Sequence, residues 1–167
     1  MADAQSYRHF WHKVADTVGN GTGSTVASGD YSSVNRSLLV NPTDGLSYEI
    51  TRIIWSCVGT TMTAAKYGAR TALSKGVVIT VEDNSGVVDT LTAYPILDNQ
   101  GWATHCHDRY PTDFGAGIGI LTVRWTFAKS GVPVRLINGE GKFIRVLLQD
   151  NFTGVGTQRF MFQGSQI

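Results

Sequence analysis

The densest set of reactive side chains lies in Trp102-Ala103-Thr104-His105-Cys106-His107-Asp108-Arg109-Tyr110. Alternate residues of a strand share a face, so His105 and His107 would point the same way, near enough for one metal ion with Asp108 or Asp113 as a third ligand. A closed zinc site needs four ligands, and the other two histidines, His9 and His12, belong to a distant N-terminal segment. Those two stand three apart, a spacing that brings imidazoles together on a helix, and are read as interface or surface residues. Cys106 as a nucleophile needs a base within reach, but the side chains of its strand neighbours project to the opposite face. Asp150-Asn151 with Asp108 or Asp113 offers oxygens for calcium at loop ends, without the regular acidic spacing of a calcium loop. The expectation is a loop over 102–117 that makes contacts, with Trp102 and Tyr110 as the side chains suited to stacking. Neither a metal nor another cofactor is expected, and the chain is not expected to be an enzyme. Phosphate loops, nucleophile elbows, zinc-protease helices and paired C-x-x-C motifs do not occur in the sequence.

Composition narrows the setting of those residues. The 167 residues carry 42% hydrophobic and 16% charged side chains and 19 glycines, the mixture of strands joined by tight turns in a single domain. The formal net charge of +1 provides no long-range field for gathering phosphates, and Arg8, Lys13 and Arg36 are outnumbered by Asp3, Asp16, Asp30 and Asp44 in the first 44 residues. Nucleic acid is therefore not an expected partner. There is no apolar run of signal-peptide length near Asp3 and no stretch of about 18 apolar residues, so no membrane partner is expected and synthesis in a reducing cytoplasm is. Cys57 and Cys106 are read as buried thiols.

The elements that must position these groups divide the sequence in two. Tyr7, Phe10, Trp11, Val14 and Val18 recur at three- and four-residue steps, which predicts a helix over about 6–18 with Ser6 as N-cap and Gly19 as stop. An aromatic stripe on so short a helix has to dock, and Tyr7, Phe10, Trp11 and Val14 are the candidate partner-binding residues. A Gly-, Ser- and Thr-rich connector follows over 19–37, so that residues 1–37 form an N-terminal arm and 38–167 the folded domain. The domain reads as about eight antiparallel strands. Val77, Ile79 and Val81 share one face, and Asp83-Asn84-Ser85-Gly86 turns them into a hairpin. Alternation slips between Ile50 and Ile53 as a bulge would make it. Leu121, Val123, Trp125 and Phe127 face a core, with Thr122, Arg124 and Thr126 facing away; Trp55 is a second core tryptophan. A second hairpin is expected from Val134–Ile137 through Asn138-Gly139-Glu140-Gly141 to Lys142–Gln149, and a short last strand near Gln158–Gln163. The fold class is all-β, one antiparallel β-sandwich of jelly-roll type with a short N-terminal helical arm.

In Leu38-Leu39-Val40-Asn41-Pro42, Tyr48-Glu49-Ile50, Gly119-Ile120-Leu121-Thr122-Val123-Arg124-Trp125, and Leu136-Ile137-Asn138-Gly139-Glu140-Gly141 with Asp150-Asn151-Phe152, the sequence resembles decoration, or cement, proteins of tailed-bacteriophage capsids. The likeness spans roughly 38–163. It implies a homo-oligomer, commonly a trimer, that sits on the outside of the virion and clamps subunits of the major capsid protein. Two other expectations stand beside it: a shell, tail or fibre subunit, and a carbohydrate-binding module using its loop aromatics.

Overall fold

The structure is a computed structural model and describes residues 10–17, 26–27, 29–42, 46–59, 62–63, 66–67, 75–93, 107–113, 119–127, 133–153 and 155–167. Within these residues the chain is almost entirely strand: β1 (Phe10–Val14), β2 (Val26–Ala27), β3 (Arg36–Val40), β4 (Tyr48–Gly59), β5 (Met62–Thr63), β6 (Lys66–Tyr67), β7 (Val77–Asp83), β8 (Gly86–Ala93), β9 (His107–Asp113), β10 (Gly119–Thr126), β11 (Val134–Leu136), β12 (Phe143–Leu148) and β13 (Val155–Gln166). Eight strands of five residues or more follow residue 35, four in each of two antiparallel sheets. The large sheet runs β1-β13-β4-β10-β9, with β11 against β4 and β2 against β13; the small sheet runs β3-β12-β7-β8. The chain crosses repeatedly between the sheets, and both contribute to one hydrophobic core, as an all-β sandwich requires.

Alternation builds that core. In β10, Leu121, Val123 and Trp125 are buried while Ile120, Thr122, Arg124 and Thr126 are half-buried on the outer side. In β7, Val77, Ile79 and Val81 face inward, and the turn after Asp83 closes on β8 as expected, with Ser85 N donating to Asp83 Oδ1 at 2.7 Å and Gly86 at a φ of 125°. Trp55 is fully buried, stacked on Phe160 with ring centroids 5.6 Å apart and edge-on to Phe152 at 6.3 Å. Its indole N–H donates to Gln158 Oε1 at 3.0 Å.

The expected slip in β4 is present. Gln163 pairs with Arg52 and Gly164 with Ile50, which leaves Thr51 as the extra residue and turns both Ile50 and Ile53 inward. The close approach needs Gly164, because a Cβ there would collide with the backbone of Glu49 and Ile50.

Three expectations are corrected. Phe10–Val14 is a strand, not part of a helix: it pairs with Met161–Ser165 along its whole length. A short run of aromatic and β-branched residues satisfies either period, and the ladder offered by β13 supplies the hydrogen bonds that decide it. The helix's residues at 6–9 and Val18, with the expected stop at Gly19, lie outside the described residues. The boundary at 37/38 does not separate an arm from the body either. Ala15 is buried in the core, Ala15 N donates to Phe160 O, Asp16 bridges to Leu39, and Val26–Ala27 pairs with Thr157–Gln158. Finally, Val134–Leu136 and Phe143–Leu148 are not a hairpin. The first pairs with β4 in the large sheet and the second with β3 and β7 in the small one, so the turn with Gly139 and Gly141 at φ 87° and 71° carries the chain between sheets. The last strand is also longer than expected, spanning Val155–Gln166 near the middle of the large sheet.

Gly164→Ala should lower stability by about 1–3 kcal/mol in urea unfolding, whereas Gly86→Ala, whose Cβ meets nothing, should lose only the smaller cost of a strained φ. Equal effects of the two substitutions would show that the bulge does not need the close approach.

Candidate functional site

The sequence candidates fall at two edges of the large sheet. Phe10, Trp11 and Val14 are on β1 at one edge, and Val14 is half-buried opposite Met161. Tyr110 is on β9 at the other edge, opposite Thr122. Tyr7, Trp102, His9, His105 and Cys106 lie outside the described residues. His12 stands opposite Gln163, His107 opposite Trp125, and Asp108 opposite Arg124. Four interstrand steps of about 4.8 Å separate β1 from β9, so their backbones are roughly 19 Å apart and His12 and His107 do not converge on one ion. Residues 107–113 form a strand, where a loop over 102–117 was expected. Cys57 is buried in β4, and burial pushes its thiol well above the ordinary range, which leaves it protonated and inert.

Polar chemistry inside the body is structural. Asp150 is 3% exposed, and its Oδ2 accepts from Lys75 N at 2.9 Å and Gly76 N at 2.8 Å. Tyr31 N donates to Asp150 O, Lys75 Nζ to Ser32 O, and Asn151 Nδ2 to Asp30 Oδ2, so this corner ties the segment before β3 to the turns before β7 and β13. Glu49, also buried, accepts from Arg135 Nη2 at 3.0 Å.

The outer faces of the sheets differ in charge. On the small sheet Arg145 Nε donates to Glu82 Oε2 at 2.8 Å and Nη1 to Ser37 Oγ at 3.1 Å, while the guanidinium lies 5.5 Å from the Phe143 ring centroid. Cation and anion are matched there. On the large sheet, pairing sets Arg52 between Gln163 and Thr126, Ile54 between Met161 and Arg124, Ser56 between Arg159 and Thr122, and Val58 between Thr157 and Ile120. No Asp, Glu or Lys occupies these outward positions. Among the described residues, this field of arginine and aliphatic side chains is a surface suited to contact with another macromolecule.

That face escaped the sequence reading. Alternation identifies Arg124 as outward, but the register that brings Arg52 and Arg159 beside it joins strands up to about a hundred residues apart. A groove of about 250 Å³ lies beside the edge strand β8, where Val88, Leu91, Phe127 and Val134 are joined by Asp89, Arg135 and Lys142. Comparison with protein-family models, curated proteins and solved structures found no match.

Two outcomes follow. In the native protein at pH 8.5, Cys57 should be alkylated by iodoacetamide at least tenfold more slowly than in guanidinium, as read by peptide mass spectrometry. Because burial raises the folded-state pKa, the stability this thiol contributes is full below the unfolded-state value of about 8.5 and declines as pH rises beyond it. Asp150→Ala should cost about 2–4 kcal/mol, because two backbone N–H groups lose their acceptor, and Asp150→Asn should recover part of that loss.

Proposed function

We propose that this chain is a structural and binding protein of a virion, a capsid-decoration subunit that associates with copies of itself and with the major capsid protein on the outside of the shell. The observation that carries this reading is the position of β1. Among the described residues the aromatic-rich strand Phe10–Val14 is an edge of the large sheet, and its Val14 continues the row formed by Met161, Ile54 and Arg124. An edge strand presents unpaired backbone groups on one side, a template that another chain can extend. Here the edge and the broad face beside it are contiguous, so a neighbour can be engaged by strand pairing and side-chain contact together. A rigid two-sheet body suits a load-bearing contact, and repetition over a lattice multiplies weak individual contacts into firm attachment.

Size-exclusion chromatography with light scattering on the full chain tests the self-association. A closed oligomer, a trimer, is the expected mass, and Val14→Glu in the outward row of β1 should weaken its assembly at least tenfold in a dilution series. A wild-type monomer at micromolar concentration would overturn the oligomeric part of the proposal. An oligomer indifferent to Val14→Glu would move the subunit contact away from β1.

A further inference from the structure

The large sheet's outer face specifies the charge of what it meets. Arg52, Arg124 and Arg159 stand on three adjacent strands with Ile54, Val58, Ile120 and Met161 between them. The Nε of Arg52 is buried without a hydrogen-bond partner, and Arg159 is exposed. Among the described residues, Asp108 on the edge strand β9 is the one acidic residue in register with any of the three, opposite Arg124.

We propose that this face docks on an acidic protein surface, with the guanidinium groups of Arg52 and Arg159 paired to carboxylates around the aliphatic strip. This deepens the decoration reading, on which it rests, by assigning the chemistry of the partner. Guanidinium forks match carboxylates with two parallel hydrogen bonds, and the use of arginine with no lysine here suits fixed pairing over diffuse attraction. A second copy docking the same face across a two-fold axis would set arginines against arginines, a repulsive arrangement. A nucleic-acid backbone would satisfy the guanidiniums but leave the aliphatic strip facing phosphates, and the net charge of +1 adds no field to draw it in. Five strands about 4.8 Å apart and seven residues at about 3.3 Å each give a face of roughly 550 Å², the scale of a modest contact that gains strength by repetition.

The test uses a fluorescent random copolymer of glutamate and tyrosine, read by anisotropy in titration with the full chain. The wild type should bind it. Arg52→Ala with Arg159→Ala should weaken binding at least tenfold, and Lys142→Ala, away from this face, should change it less than twofold. Should the double variant lose its thermal transition by circular dichroism, the exposed Arg159→Ala alone decides, with a threefold or greater loss expected. The proposal is overturned if the wild type ignores the copolymer, if arginine removal leaves binding intact, or if a DNA duplex of equal charge binds as tightly. An oligomer that ignores the copolymer would overturn the acidic-partner assignment alone. A monomer that binds it through Arg52 and Arg159 would uphold this assignment and overturn the self-association.

Discussion

Everything in this molecule hangs on the double pairing of β4. It is bonded along one side to β13 and along the other to β10 and β11, so its register sets that of the large sheet. Its inward residues Ile53, Trp55 and Cys57 also form the floor on which the small sheet rests. Trp55 is the most demanding of these, because its indole carries a donor that must be satisfied out of reach of water. Gln158 meets that need from β13, which ties the tertiary position of one strand to the hydrogen-bond requirement of another. A slip of one residue between β4 and β13 would lose that bond, unstack Phe160 from Trp55, and turn the outward arginines into the core. The bulge at Thr51 is what permits the other eleven residues of β4 to stay paired with β13 along its whole length.

The sequence carries the parts of this arrangement that are local. Leu121 through Phe127 alternate because one side meets the core, and Asp83-Asn84-Ser85-Gly86 turns because Gly86 accepts a positive φ; both features are readable from neighbouring residues. Phe10–Val14 is different. Its apolar spacing fits a helix face as well as a strand, and the choice is made by a free ladder on β13 some 150 residues later. The turn at Asn138–Gly141 likewise has the same local chemistry whether it closes a hairpin or crosses between sheets. Only the separate partners of β11 and β12 distinguish the two.

The candidate surface was illegible for the same reason, carried one step further. Arg52 and Arg159 are unremarkable in sequence, and Arg124 reads only as one outward residue of an alternating strand. They become one feature through two registers, β4 with β10 and β4 with β13, which no pattern within a single strand contains. The histidine-bearing segments show the converse. They attract notice in sequence because reactive residue types crowd together, yet the sheet order puts β1 and β9 on opposite margins.

The asymmetry of the two outer faces has a physical consequence for orientation. On the small sheet, desolvating Arg145 would remove solvent from a group already matched by Glu82 and Ser37, so a partner there gains little by supplying charge. On the large sheet, covering Arg52 or Arg159 without providing an anion is unfavourable, while a carboxylate turns the same burial into a favourable contact. On the proposed docking, the face would select against uncharged and cationic surfaces while favouring an acidic one. Because β1 borders that face, a neighbour added at its edge would extend the arginine field laterally, so self-association and attachment would reinforce each other on one side of the sandwich.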